Sequence, residues 1–279
     1  MSDFDRNITA GPFGGSMSRA EAAAIDAGLR AYMLHVYNYM MLGLAITGLA
    51  AFAIYFIGVT DSLDNASHIL RGSRVIPVTA GMVAQGRDVL LTTAGYAAFV
   101  SPLKWVLVFA PLLLIFALSF GIERMRPAAA QVLFWIFAAL MGLSLASIFL
   151  IFTHTSILRV FFVTAASFGA LSLWGYTTRA DLTGMRSFLA MGLTGVVLAA
   201  LVNMFLGSNM LQFLISVAGV LVFAGLTAWD TQRLKNEYIY GAMEGEVAER
   251  AAIIGALSLY LNFINLFTFL LQLIGQRDE

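Results

Sequence analysis

The chain has 279 residues, of which 60% are hydrophobic and 11% charged, with a mean hydropathy of +0.85. Soluble domains carry about 25% charged residues, so this composition belongs to an integral membrane protein. Zero net charge gives no handle on nucleic acid, and zero cysteines exclude disulfides, thiolate metal sites and cysteine nucleophiles.

Residues 1–30 read as a polar, Gly-rich cytoplasmic tail without the apolar stretch of a signal peptide. Ser18 and Glu21 fit a capping box, so about 19–29 reads either as a short helix lying at the membrane surface or as part of a disordered tail. A seven-span domain follows over 31–275. Its apolar runs fall at about 34–58, 104–122, 131–153, 157–176, 187–206, 209–229 and 251–274, and 276–279 are a short polar tail. The fold class is all-α transmembrane, with a long outer loop between spans 1 and 2. That loop, 59–103, mixes β-branched residues with Gly, Asp and Arg, and a β-hairpin or interfacial element is expected in it.

The Lys and Arg residues divide ten to six in favour of a cytoplasmic N-terminus. An odd number of spans then puts the C-terminus outside, unless the last span fails to cross. Small residues four apart mark close helix packing, at Ala165/Gly169 and Ala166/Ala170 in span 4 and at Gly142/Ala146 in span 3.

The last span carries Ser258, Tyr260, Asn262 and Asn265 near its middle. Unpaired polar groups in lipid cost several kcal/mol, so these side chains must turn toward other helices or a wet cavity, which predicts a central last helix. Asn262 and Asn265, three apart, share a face. Asn203 in span 5 is read as interhelical glue.

Asp230 ends the apolar run of span 6, in TAWDTQRLK. Read as the last residue of its helix, it opposes the macrodipole, with Arg233 and Lys235 as compensation. Arg124 ends span 2 at the same inner face, and either fixes topology or meets Asp230 across the bundle. The acidic residues Glu237, Glu244, Glu246 and Glu249 form a solvated loop, or raise cation concentration at the inner mouth. The three histidines do not cluster, no catalytic or phosphate-binding motif is present, and neither an enzyme activity nor a cofactor is expected.

Three stretches together resemble the Bax inhibitor-1 family in its bacterial branch. They are RAYMLHVYNYMMLGLAITGL at 30–49, LTAWDTQRLK at 226–235 and ALSLYLNFINLF at 256–267. The resemblance covers roughly residues 28–275. It implies a seven-helix bundle around the last helix, in the bacterial inner membrane. It further implies a pH-sensitive calcium leak and protection against stress, and ties some bacterial relatives to a membrane protease. The partners expected are thus the lipid bilayer and, in a regulatory role, a membrane protease, with no nucleic acid. Calcium enters as the permeant ion and not as a resident cofactor.

In the family the leak is gated by two acids on the last two helices, one of which can bond an arginine near the end of the second. By resemblance, Asp230 takes the place of the first acid and Arg124 that of the arginine. The second acid falls on position 262, which is Asn262 here. Two carboxylates share a proton because both cannot ionise cheaply, whereas an amide beside a carboxylate donates to its charged form. Weakened or acid-shifted pH sensing and poorer calcium binding are therefore expected, with Asp230, Asn262 and Arg124 at the gate and Asn265, Tyr260 and Arg233 in support. The second reading is a regulator of membrane-protein quality control that transports nothing.

Overall fold

The computed structural model describes residues 19–71, 74–79, 82, 84, 88–121, 125–241 and 245–277. The chain begins with α1, Arg19–Gly58, a 40-residue helix. The surface helix expected in the tail and the first span are thus one continuous element. Ser18 of the expected capping box lies outside the described residues.

Between α1 and the next spanning segment the described residues form four short strands, β1 (Val59–Thr60), β2 (His68–Arg71), β3 (Arg74–Pro77) and β4 (Val89–Leu91). They form one antiparallel sheet in the order β1-β4-β2-β3. Only β2 and β3 make a local hairpin. β4 returns to sit between β1 and β2, pairing Leu91 with both Val59 and His68. Asp88, just before β4, is gripped by Arg71 of β2 in a two-pronged bond at 2.6 and 2.8 Å.

The short helix α2 (Thr93–Phe99) and α3 (Leu103–Gly121) follow. Thr92 caps α2 by accepting from the Gly95 N–H. The two helices meet at a 55° bend. Next come α4 (Pro127–Leu145), the one-turn α5 (Ile148–Ile151), α6 (His154–Thr177), α7 (Met185–Leu206), α8 (Asn209–Tyr240) and α9 (Gly245–Ile274). The boundaries follow local chemistry. Pro127 opens α4, where its missing N–H costs nothing. Thr153 and Ser208 cap α6 and α8 with their hydroxyls. Gly207, at φ +61°, closes α7 in the left-handed conformation and lets α8 start two residues later.

Among the described residues, six helices are long and apolar enough to cross a membrane, and the bent α2–α3 pair makes a seventh if counted as one span. The candidate membrane spans are all α-helical. Large apolar side chains such as Phe56, Leu113, Phe162, Phe188 and Phe205 face outward, as lipid contact requires. The main core lies where α9 packs on α1, α4, α6 and α8. Half of the most apolar window of α9 is buried, more than in the other five single-helix spans.

The small-residue pattern works in one place and fails in another. A Cβ on Gly142 of α4 would stand 2.3 Å from the Thr47 carbonyl oxygen, so α1 and α4 touch backbone to side there. In α6 only Ala165 of the pattern packs against the core. Ala166, Gly169 and Ala170 are exposed, and nothing lies within 4 Å of a Cβ built on Gly169. That stripe faces away from the bundle.

Candidate functional site

Asp230 lies inside α8 and not at its end. The helix runs ten residues further, to Tyr240, or about 15 Å at 1.5 Å per residue. The expected clash with the helix dipole does not arise, because that effect is confined to the last turn. The apolar run stops at 229 while the helix continues as an amphipathic extension. Asp230 is 4% exposed.

Helices α8 and α9 run antiparallel, and α9 turns one polar strip toward α8. Ser258 and Asn262, four apart, occupy the same face. Both donate to Asp230 Oδ2, the Asn262 Nδ2 amide at 2.6 Å and the Ser258 hydroxyl at 3.0 Å. Only an NH₂ can serve there, since a carboxylate oxygen accepts, and this fixes the orientation of the amide. From one turn along α8, Arg233 brings its Nη2 to 2.8 Å from the other oxygen, Oδ1. That contact is a charge pair without hydrogen-bond alignment, and the buried Arg233 Nε is also unbonded. The guanidinium further donates to the Ser258 oxygen at 3.4 Å, stands 5.1 Å over the Trp229 ring, and approaches Glu237 at 3.7 Å.

The remaining expected residues separate. Tyr260 points to the opposite side of α9, where its hydroxyl meets Thr47 Oγ1 at 2.6 Å and its ring takes the edges of Phe134 and Phe137. Asn265 donates back to the Leu261 carbonyl of its own helix at 2.8 Å. Lys235 donates to the Tyr176 carbonyl at 2.9 Å, so it does not compensate Asp230. Arg124 and Glu244 lie outside the described residues. Next to Arg124, the Met125 carbonyl accepts from Arg250 of α9 at 3.3 Å.

Two groups escaped the sequence reading. Ser258 was visible as a polar residue one turn before Asn262, yet nothing in the spacing marked it as a ligand of Asp230. Gln232 gave no signal. Its amide clamps the α6–α7 connection, donating to the Ala180 carbonyl and accepting from the Leu182 N–H, both at 2.8 Å. At the far end of the bundle, Asn203 joins a second polar cluster. It donates to Gln212 at 3.0 Å, and Gln212 donates to Gln272 at 2.7 Å.

A cleft of about 340 Å³ opens beside Arg233, walled by Thr183, Arg186, Trp229, Gln232, Asn236 and Glu237. Arg233 thus stands between the cleft and the buried carboxylate. Among the described residues, no three His, Asp or Glu side chains converge as a metal site. The arrangement places one carboxylate inside the bundle, with the Arg233 guanidinium beside it at the cleft wall.

A family model described as "Inhibitor of apoptosis-promoting Bax1" matches residues 29–279. The chain is 42% identical to "Uncharacterized protein RP147" of Rickettsia prowazekii, over the whole of both chains. It is 43% identical to a Caulobacter vibrioides protein, again over the whole of both. It is 38% identical to "Inner membrane protein YbhL" of Escherichia coli K12, over 90% of this chain and 94% of that one. On these matches the chain belongs to the Bax inhibitor-1 family of integral membrane proteins.

Proposed function

We propose that the protein is a calcium-permeable leak of the bacterial inner membrane, with its N-terminus in the cytoplasm and its last helix at the centre of a seven-helix bundle. The observation that carries this reading is the Asp230 carboxylate, buried in a spanning helix and held by Asn262, Ser258 and Arg233. An ionisable side chain at such depth is costly, and its ordinary use is in an ion or proton pathway. Placement in the inner membrane draws on the likeness to the Escherichia coli protein. pH gating is weak because Asp230 has an amide where a second carboxylate would share its proton. By resemblance, Arg124 belongs to the same gate.

The second reading, a regulator of membrane-protein quality control that acts through a membrane protease, is favoured by the same asparagine. One carboxylate and one amide make a poor site for calcium, which prefers several oxygen ligands.

The test is calcium entry into dye-loaded proteoliposomes across acidic to alkaline pH, with the native chain, Asp230→Asn and Asn262→Asp. A native leak that Asp230→Asn alters, with a steeper pH response in Asn262→Asp, supports the leak. Calcium entry no faster than in empty vesicles for all three sinks it and leaves the regulator.

A further inference from the structure

We propose that the cleft between the α6–α7 connection and α8 binds a phosphate-bearing anion, and that this anion takes Arg233 from Asp230. The binding site goes beyond the leak reading and does not depend on it.

The cleft measures about 340 Å³ and receives two guanidinium groups from separate elements, Arg186 at the start of α7 and Arg233 on α8. Among the described residues, the Arg186 side chain makes no hydrogen bond or ion pair, and it is exposed. Arg233 is only partly engaged. Its Nε is buried and unbonded, and its contact with Asp230 Oδ1 lacks hydrogen-bond alignment. The Arg186 guanidinium, with its N–H edge free, is suited to a planar or tripodal oxyanion, which such a group grips with two parallel bonds. Thr183 and Asn236 add neutral donors to the same walls, and the Trp229 ring supports the guanidinium from one face.

Charge selects the ligand. The lining carries two arginines and one acid, Glu237, so an anion is preferred to a cation. Two guanidinium groups from different helices call for a group with several oxygens spread in space, which phosphate has and a single carboxylate lacks. The cleft also lies where apolar helix gives way to polar chain, beside the start of α7. A lipid phosphate and a free phosphate both satisfy this chemistry. Either one competes with Asp230 for Arg233. The bound state therefore leaves Oδ2 with its two neutral donors and Oδ1 without its cation.

The experiment uses the full chain in nanodiscs of pure phosphatidylcholine. One arm adds phosphatidylglycerol to the discs, and the other adds inorganic phosphate to the buffer, with binding followed by native mass spectrometry and thermal shift. Whichever ligand binds, Arg186→Gln is expected to weaken it about tenfold, the loss of one charge-assisted contact. Glu237→Gln is expected to tighten it, an opposite sign that damage to the fold does not produce. Binding in the first arm alone identifies a lipid, and binding in the second a free phosphate. Failure of both ligands to bind, or binding that neither substitution moves, overturns the site. Transfer of Arg233 is read from the infrared carboxylate bands of labelled aspartate, as the part lost in Asp230→Asn. A band that does not shift on binding overturns the transfer.

Discussion

The Asn262 amide donates to the Asp230 carboxylate at 2.6 Å, across the α8–α9 interface. Position 262 is therefore a hydrogen-bond donor aimed at a charge, and its chemistry sets what an acid placed there would do. In Asn262→Asp, two carboxylates face each other at hydrogen-bond distance. At alkaline pH both are charged and repel, while at acidic pH one carries a proton and replaces the lost donor. The variant should melt below the native protein at alkaline pH and approach it as pH falls. Thermal unfolding across pH checks this, and parallel curves for the two proteins would contradict it.

Breaking the Asp230–Arg233 pair from its two sides should not cost the same. Arg233→Gln leaves a buried carboxylate with neutral donors only, and should destabilise by about 2–3 kcal/mol after allowance for the part-exposed arginine. Asp230→Asn leaves an arginine that can turn to Glu237 or to water, at a cost of about 1 kcal/mol. Adding Asp230→Asn to Arg233→Gln should therefore restore part of the loss. Chemical denaturation of the single and double variants in one detergent decides the matter, and simple additivity would show that the two side chains do not act together.

Gly142→Ala should be among the more damaging small substitutions, because its methyl meets the Thr47 carbonyl and pushes α1 from α4. A loss of about 1–3 kcal/mol is expected from such overpacking. Gly169→Ala meets nothing and should be neutral or stabilising by up to about 1 kcal/mol through helix propensity. Melting temperatures of the two variants should move apart.

The connection between α6 and α7 contains an exposed acid with a distinct titration. The Asp181 carboxyl is held below its ordinary value by the Thr183 hydroxyl and, in addition, by the Thr183 N–H at 2.9 Å. A depressed carboxyl contributes stability that is present above its unfolded-state value and is lost as pH falls through the folded one. Native protein should lose stability over that acidic window, and Asp181→Asn should lose less. Identical acid limbs for the two proteins would rule out the contribution.

Much of this was legible in the sequence, for identifiable reasons. Apolar runs report where a helix touches lipid, and so they signalled a helical membrane protein. They do not report where a helix ends, which is why Asp230 was placed at a terminus that lies ten residues further on. The meeting of Asp230 with position 262 came through the motif and not through spacing, since no local rule aligns two helices in register. The polar residues of the last span looked like one face. A helix turns about 100° per residue, however, and that sends Tyr260 to α1 and α4 while Ser258 and Asn262 go to α8. In α6 Ala165 packs against the core while Ala166, Gly169 and Ala170 line a surface facing away from the bundle, and composition cannot separate those cases. The sheet order β1-β4-β2-β3 was beyond reach because β4 pairs with strands well before it in the chain.

Gln232 lies only two residues beyond Asp230 and grips the peptide groups of Ala180 and Leu182. α8 is thereby pinned on two sides at the same level, to the α6–α7 connection by an amide and to α9 by a carboxylate. A helix held so cannot spin about its axis to carry the acid toward water without tearing one of these grips. α8 therefore acts as the stator, and any opening of the site must come from the parts that move around it, α9 and the Arg233 side chain.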